Sequence, residues 1–227
     1  MSRPLLVLRP EPGASATAAR ADALGFDVCL APLFRVASVA WTPPEAERFD
    51  ALMLTSANAV RHAGAALDRY RALPLYAVGQ ATADAAAAAG FDPVLIGSAD
   101  AQALLAEAAA NGVRRLLHLC GQDHRDASHP DVQIDRCIVY AADGVALLPE
   151  AAREALLSGA IALLHSPRAA ALFARLVDDA GLHRRSVRLV ALSPAVARAA
   201  RGGWAVVGTA PEPHDDALLA VAARMCE

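Results

Sequence analysis

The stretch Leu52-Met53-Leu54-Thr55-Ser56-Ala57-Asn58-Ala59-Val60 constrains this chain most. A short apolar run ends in two hydroxyl residues, and an alanine-rich helical pattern follows at once. This reads as a buried parallel strand entering a helix N-terminus, with Thr55 and Ser56 at the strand's carboxyl end. Open α/β sheets bind their ligands at that edge. The unit returns as Ile161-Ala162-Leu163-Leu164-His165-Ser166-Pro167-Arg168-Ala169-Ala170. There Ser166 reads as an N-cap and Pro167 occupies the first helical turn, where its missing N–H costs nothing. Two such edges facing one cleft would make a two-domain ligand site.

The same alternation runs through most of the chain. Apolar strands are expected at 5–8, 26–32, 51–54, 75–78, 93–96, 115–120, 161–164, 187–192 and 204–207. Helices are expected at 14–24, 57–70, 81–89, 101–110 (capped by Asp100), 149–157, 168–180, 194–200 and 215–225. Short strands separated by helices of about ten residues mean parallel sheets. Offsets support an internal repeat: Ser56 is matched by Ser166 after 110 residues, Gly97 by Gly208 after 111, and Leu104-Leu105 by Leu218-Leu219 after 114. Two extended segments, 34–37 and 137–140, flank the middle block. The opening βαβ unit is too small to stand alone, so it belongs with the C-terminal half. The fold class expected is α/β, with two similar parallel-sheet domains joined by a two-stranded antiparallel linker. Domain 1 is discontinuous, 1–34 and 142–227; domain 2 is 40–135; the linker strands are 35–39 and 136–141.

Composition removes several classes of function. The 21 basic residues are all arginine. Schiff-base and pyridoxal-phosphate chemistry are excluded without a lysine, and so is a phosphate-cradling P-loop. An anionic substrate must then be held by arginine, backbone N–H groups, hydroxyls and helix N-termini. A net charge of −3 without a basic cluster gives no support for nucleic-acid binding. No apolar run approaches the roughly 18 residues of a membrane helix, and Met1-Ser2-Arg3-Pro4 leads straight into a strand rather than a signal peptide. Cys29, Cys120, Cys137 and Cys226 form no Cys-x-x-Cys pair, which fits reduced thiols and a cytoplasmic protein. His118, His124 and His129 lie near Asp123 and Asp126, but the segment reads as loop without the fixed geometry of a metal site. No Gly-x-Gly-x-x-Gly and no Gly-x-Ser-x-Gly is present.

In order and spacing the chain resembles the uroporphyrinogen-III synthase family. The matching segments are Leu8-Arg9-Pro10, Leu54 to Val60, Ala77-Val78-Gly79-Gln80-Ala81-Thr82-Ala83, Val139-Tyr140, His165-Ser166-Pro167 and the Gly203-Trp204 strand before the last helix. The resemblance implies two α/β domains on a two-stranded linker and the substrate hydroxymethylbilane, a linear tetrapyrrole with eight carboxylates. It implies loss of the terminal hydroxyl as water, a spiro intermediate, inversion of the last ring and closure, with no metal or cofactor. Because the substrate also cyclises unaided to the uninverted isomer, the protein's task is to hold it folded for one closure.

Carried over residue by residue, the resemblance places Tyr140 as the catalytic group that helps the hydroxyl leave, since a phenol can donate a proton at neutral pH. It places Arg9, Thr55, Ser56, Gly79, Thr82, Ser166 and Ser193 at the substrate. Arg61, Arg125 and Arg168 are further candidates for charge. Two positions depart from the family's pattern. Its second Gly-x-x-Thr turn is Ser193-Pro194-Ala195-Val196 here, and His165 stands where a threonine is usual. The expected protein is a cytoplasmic monomer that takes hydroxymethylbilane, handed over by the preceding pathway enzyme, and binds neither nucleic acid nor membrane. The competing reading, motivated by the two departures, is a non-catalytic two-lobed protein that binds a tetrapyrrole or another anion.

Overall fold

The computed structural model describes residues 3–97 and 101–226. The chain forms two compact units, 36–142 and the pair of segments 1–35 and 143–227.

The first unit carries the strands β1 (Leu5–Val7), β2 (Val28–Leu30), β9 (Ile161–Leu164), β10 (Arg188–Ala191) and β11 (Val206–Thr209) in the order β11-β10-β9-β1-β2. All four pairings are parallel. Its helices are α1 (Gly13–Ala23), α5 (Glu150–Leu157), α6 (Pro167–Asp179), α7 (Pro194–Ala199) and α8 (Asp215–Arg224). Leu5, Val7, Ile161, Leu163 and Val190 form one core layer with Ala14 and Ala21 of α1 and with Leu218, Leu219 and Ala222 of α8. Gly208 allows α8 to approach the sheet: a Cβ there would lie 2.6 Å from Val221 Cγ1.

The second unit carries a six-stranded sheet in the order β3-β8-β7-β4-β5-β6. The strands are β3 (Phe34–Ser38), β4 (Ala51–Leu54), β5 (Leu75–Val78), β6 (Pro93–Gly97), β7 (Arg115–Gly121) and β8 (Gln133–Gly144). Every residue of β4 is buried, and alternate residues enter different layers. Leu52 and Leu54 pack with Tyr70, Leu75 and Leu117, whereas Ala51 and Met53 pack with Tyr76, Leu104 and Leu105. Burial on both faces is why the strand reads as a continuous apolar run. Among the described residues the α-helices of this unit are α2 (Ala57–His62), α3 (Gln80–Ala88) and α4 (Ala101–Ala110). Asp100, the expected cap of α4, lies outside the described residues. No described helix is long and apolar enough to cross a membrane.

Five strands of the second sheet repeat the spatial order of the first, with β3 added at one edge. Aligning β4, β5, β6, β7 and β8 with β9, β10, β11, β1 and β2 gives the same spatial order. The units differ in their connections: α5 leads into β9 without an α-helical counterpart before β4 among the described residues, and α4 joins β6 to β7 where α8 simply follows β11. Between β1 and β2 the first unit has α1, whereas between β7 and β8 the second has only the loop 122–132.

Three elements differ from expectation. The helix expected at 57–70 ends as α2 at His62; Gly64, at φ +71°, starts a 3-10 turn, Gly64–Tyr70. That conformation is cheap only for glycine, and it delivers Tyr70 into the core with its hydroxyl donating to Pro44 O at 2.8 Å. The last strand lies two residues later than expected, because Trp204 is taken into the core. Its ring stacks on Phe173 at 5.6 Å, and its Nε1–H donates to Ala200 O at 3.1 Å. Finally, the extended segment at 137–140 is the middle of the twelve-residue β8, which pairs in parallel with β7.

Candidate active site

At the carboxyl edge of the six-stranded sheet, the loop in place of a crossover helix leaves a cavity of about 350 Å³. Thr55, Ser56, Gln102, Gly121, His124, Arg125 and Tyr140 contribute to its wall. Ser56 is the N-cap of α2, its Oγ accepting from Asn58 N–H at 3.2 Å. Thr55, on the same wall, has its Oγ1 3.1 Å from Nε2 of His118, a residue 1% exposed on β7. Burial pushes the His118 pKa down, with Arg136 and His124 adding to the effect, to about 3, so the ring is neutral at neutral pH. His124 stands edge-on to it at 6.0 Å and donates from Nδ1 to Gly121 O at 2.9 Å.

Tyr140 owes its position to Gly121. The β7–β8 register slips between Cys120 and Gly121, which sets Gly121 opposite Tyr140. The tyrosine ring then covers the glycine so closely that a Cβ would lie 2.5 Å from Tyr140 Cζ. Tyr140 is half-buried, with the His62 ring 6.1 Å away. Gly79 begins α3 at φ +76°, but its N–H donates to Gly97 O at 2.8 Å and that of Thr82 to Gly79 O at 3.1 Å. Both amides of the Gly-x-x-Thr turn are thus committed within the protein, and Thr82 is buried. The structure brings Thr55, Ser56 and Tyr140 to one cavity, while Gly79 and Thr82 shape the adjacent strand-to-helix turn.

In the five-stranded unit the hydroxyls act as caps. Ser166 Oγ accepts from Ala169 N–H at 3.1 Å and Ser193 Oγ from Val196 N–H at 3.4 Å. Ser193 has an extended φ of −158° where Gly79 has +76°, so its turn is built by a side-chain cap rather than by glycine. Arg9, just after β1, meets a buried carboxylate that the sequence does not single out. Asp215, 7% exposed at the start of α8, accepts from Thr17 Oγ1 at 2.7 Å and from Arg9 Nη1 at 3.2 Å. Nε2 of the buried His165 is 3.3 Å from Asp215 Oδ1, within reach electrostatically, although its ring N–H makes no well-formed hydrogen bond. Arg20 approaches the same carboxylate at 3.6 Å. Of the other arginines, Arg125 lines the cavity, Arg61 donates to Asn58 Oδ1 at 3.3 Å, and Arg168 lies over the Phe34 ring at 4.5 Å. Among the described residues no three His, Cys, Asp or Glu side chains are placed to hold a metal ion.

The family model described as uroporphyrinogen-III synthase HemD matches residues 15–220. The chain belongs to the uroporphyrinogen-III synthase family. Its activity is that of a cyclising lyase of porphyrin and heme biosynthesis, and the family implies hydroxymethylbilane as substrate. Among solved structures it is similar to uroporphyrinogen-III synthetase from Helicobacter pylori, at 14% identity and TM-score 0.65, over 98% of this chain and 99% of that one. It is also similar to a mutant uroporphyrinogen III synthase from Thermus thermophilus, at 19% identity and TM-score 0.53, over 98% and 99%. These likenesses show the two-sheet α/β fold. Comparison with curated proteins returns no match.

Proposed function

We propose that the chain uses the cavity of its six-stranded unit to convert hydroxymethylbilane to the ring-inverted macrocycle. Tyr140 donates to the departing hydroxyl, and Thr55 and Ser56 contact the substrate beside it. The observation that carries this reading is the convergence of Tyr140, Thr55 and Ser56, from β8 and from the β4–α2 turn, on one cavity. Arg125 lines the cavity as a cation for a carboxylate, beside the acidic Asp123 and Asp126, and Tyr140 packs over Gly121 on its wall. Arg9, Ser166 and Ser193 serve the substrate from the five-stranded unit, Arg9 as the charged member. Gly79 and Thr82 contribute by holding the turn beside the cavity. The protein acts in the cytoplasm as a monomer and receives its unstable substrate from the preceding pathway enzyme, apart from nucleic acid and membrane.

The test is isomer analysis of a coupled reaction. Hydroxymethylbilane is generated in situ with and without the protein, the products are oxidised, and type I and type III porphyrins are separated. A protein-dependent excess of type III is expected. Type I alone, from folded protein, would overturn the proposal.

A further inference from the structure

His118 has no part in the function proposed above, yet the structure gives it unusual constraints. It is 1% exposed, in the middle of β7 and in register with Met53 of β4. One ring nitrogen, Nε2, meets Thr55 Oγ1 at 3.1 Å. The other, Nδ1, is buried without a hydrogen-bond partner. The ring has a single proton, because burial and the neighbouring Arg136 and His124 oppose a second.

That proton has two possible places. On Nδ1 it would be a buried N–H with nothing to donate to, which folded proteins rarely tolerate. On Nε2 it is satisfied by Thr55, and what remains unpaired is a lone pair, the less costly orphan. The arrangement therefore favours Nε2–H donating to Thr55 Oγ1. A threonine hydroxyl has one hydrogen to give. Once its oxygen accepts from His118, that hydrogen is free to donate, and Thr55 lies on the cavity wall.

We propose that His118 is a positioning residue: as the Nε2–H tautomer it donates to Thr55 Oγ1 and reserves the Thr55 hydroxyl as a donor to a carboxylate of the tetrapyrrole. This rests on the reading that Thr55 touches substrate. It adds a reason for discrimination: an obligate donor suits an anionic oxygen and would reject a group with only hydrogens to offer.

Two measurements test it. In uniformly 15N-histidine-labelled full-length protein, a long-range proton–nitrogen correlation spectrum reads the tautomer, with the His118 signals assigned by their loss in His118→Met. A protonated Nε2 and a bare Nδ1 are expected; a protonated Nδ1 overturns the proposal whatever the kinetics show. In steady-state assays, His118→Met removes the donor at similar size and should raise KM for hydroxymethylbilane about tenfold with a smaller change in kcat, the size of one hydrogen bond to a charged group. His118→Gln, which keeps an N–H near the Nε2 position, should recover most of that loss. In a Thr55→Val background, His118→Met should raise KM no further; an undiminished effect there overturns the proposal. If Thr55→Val itself leaves KM unchanged, Thr55 does not hold substrate and the inference falls with that reading. The tautomer then still separates that failure from an error in the hydrogen bond. The tautomer itself is read in wild-type protein, and His118→Gln serves the same assignment if His118→Met folds poorly, so poor folding of one variant does not shield the proposal.

Discussion

Replacing Asp215 with asparagine tests the account of the five-stranded unit most directly. Burial alone would raise the Asp215 pKa. The neighbouring His165 ring, the hydrogen bond from Thr17 and the charge of Arg9 reverse that and hold the carboxyl at about 2, against an ordinary 3.8. At about 1.36 kcal/mol per unit, the ionised form contributes roughly 2 kcal/mol to stability. The sign follows from the depressed value. The contribution is complete above the unfolded-chain pKa and declines as pH falls from about 5 toward 2. Asparagine imitates the protonated carboxyl in shape. Asp215→Asn should therefore unfold more easily than wild type by about 2 kcal/mol at pH 7 and by about 1 kcal/mol or less at pH 2.5. The assay is urea unfolding followed by tryptophan fluorescence in a Trp41→Phe background. That background leaves Trp204, which lies in the same unit as Asp215, as the fluorophore. A difference that stays constant between the two pH values, or that is absent at pH 7, would refute the reasoning.

Three further outcomes are expected. Tyr140→Phe keeps the ring over Gly121 and removes the phenol, so kcat should fall by about a hundredfold or more while the thermal unfolding midpoint hardly moves; full activity would remove Tyr140 as the proton donor. Gly121→Ala places a methyl 2.5 Å from Tyr140 Cζ and must displace the ring, so turnover should drop more than stability, as measured by kcat alongside thermal unfolding. Gly208→Ala drives a methyl to 2.6 Å from Val221 Cγ1 and 2.9 Å from Met225 Sδ; overpacking of this kind should cost about 1–3 kcal/mol in urea unfolding with the cavity of the other unit intact.

Much of this architecture is legible in the chain because its signals are local. The run 51–54 is apolar throughout because β4 is buried on both faces, and Ser56, Ser166 and Ser193 announce helix starts because their hydroxyls satisfy N–H groups two or three residues away. Gly25, Gly90 and Gly112 mark helix ends because the positive φ that turns the chain there favours glycine. Where the reading missed, a longer-range interaction competed. Trp204 continues the apolar pattern of a strand, but the room beside Phe173 takes its ring into the core and moves the strand to Val206–Thr209. The Gly64 break within 57–70 was visible as a glycine. That it must adopt φ +71° follows from where Tyr70 is anchored.

The site divides in the same way. Sequence alone determined that hydroxyls would stand at the carboxyl ends of β4 and β9, and that arginine must supply any positive side chain for an anion, since the chain has no lysine. Only the tertiary structure decided which groups those side chains would meet. Asp215 looks like an ordinary first-turn acid of α8, and its partners Thr17 and Arg9 lie 198 and 206 residues away in sequence. His118 is one histidine in an apolar run, and its hold on Thr55 exists because β7 and β4 pair in one register. Periodicity and capping act over a few residues, so a sequence displays them. A hydrogen bond between distant segments depends on strand order, register and the absence of a helix at 122–132, and these are settled only when the whole sheet forms.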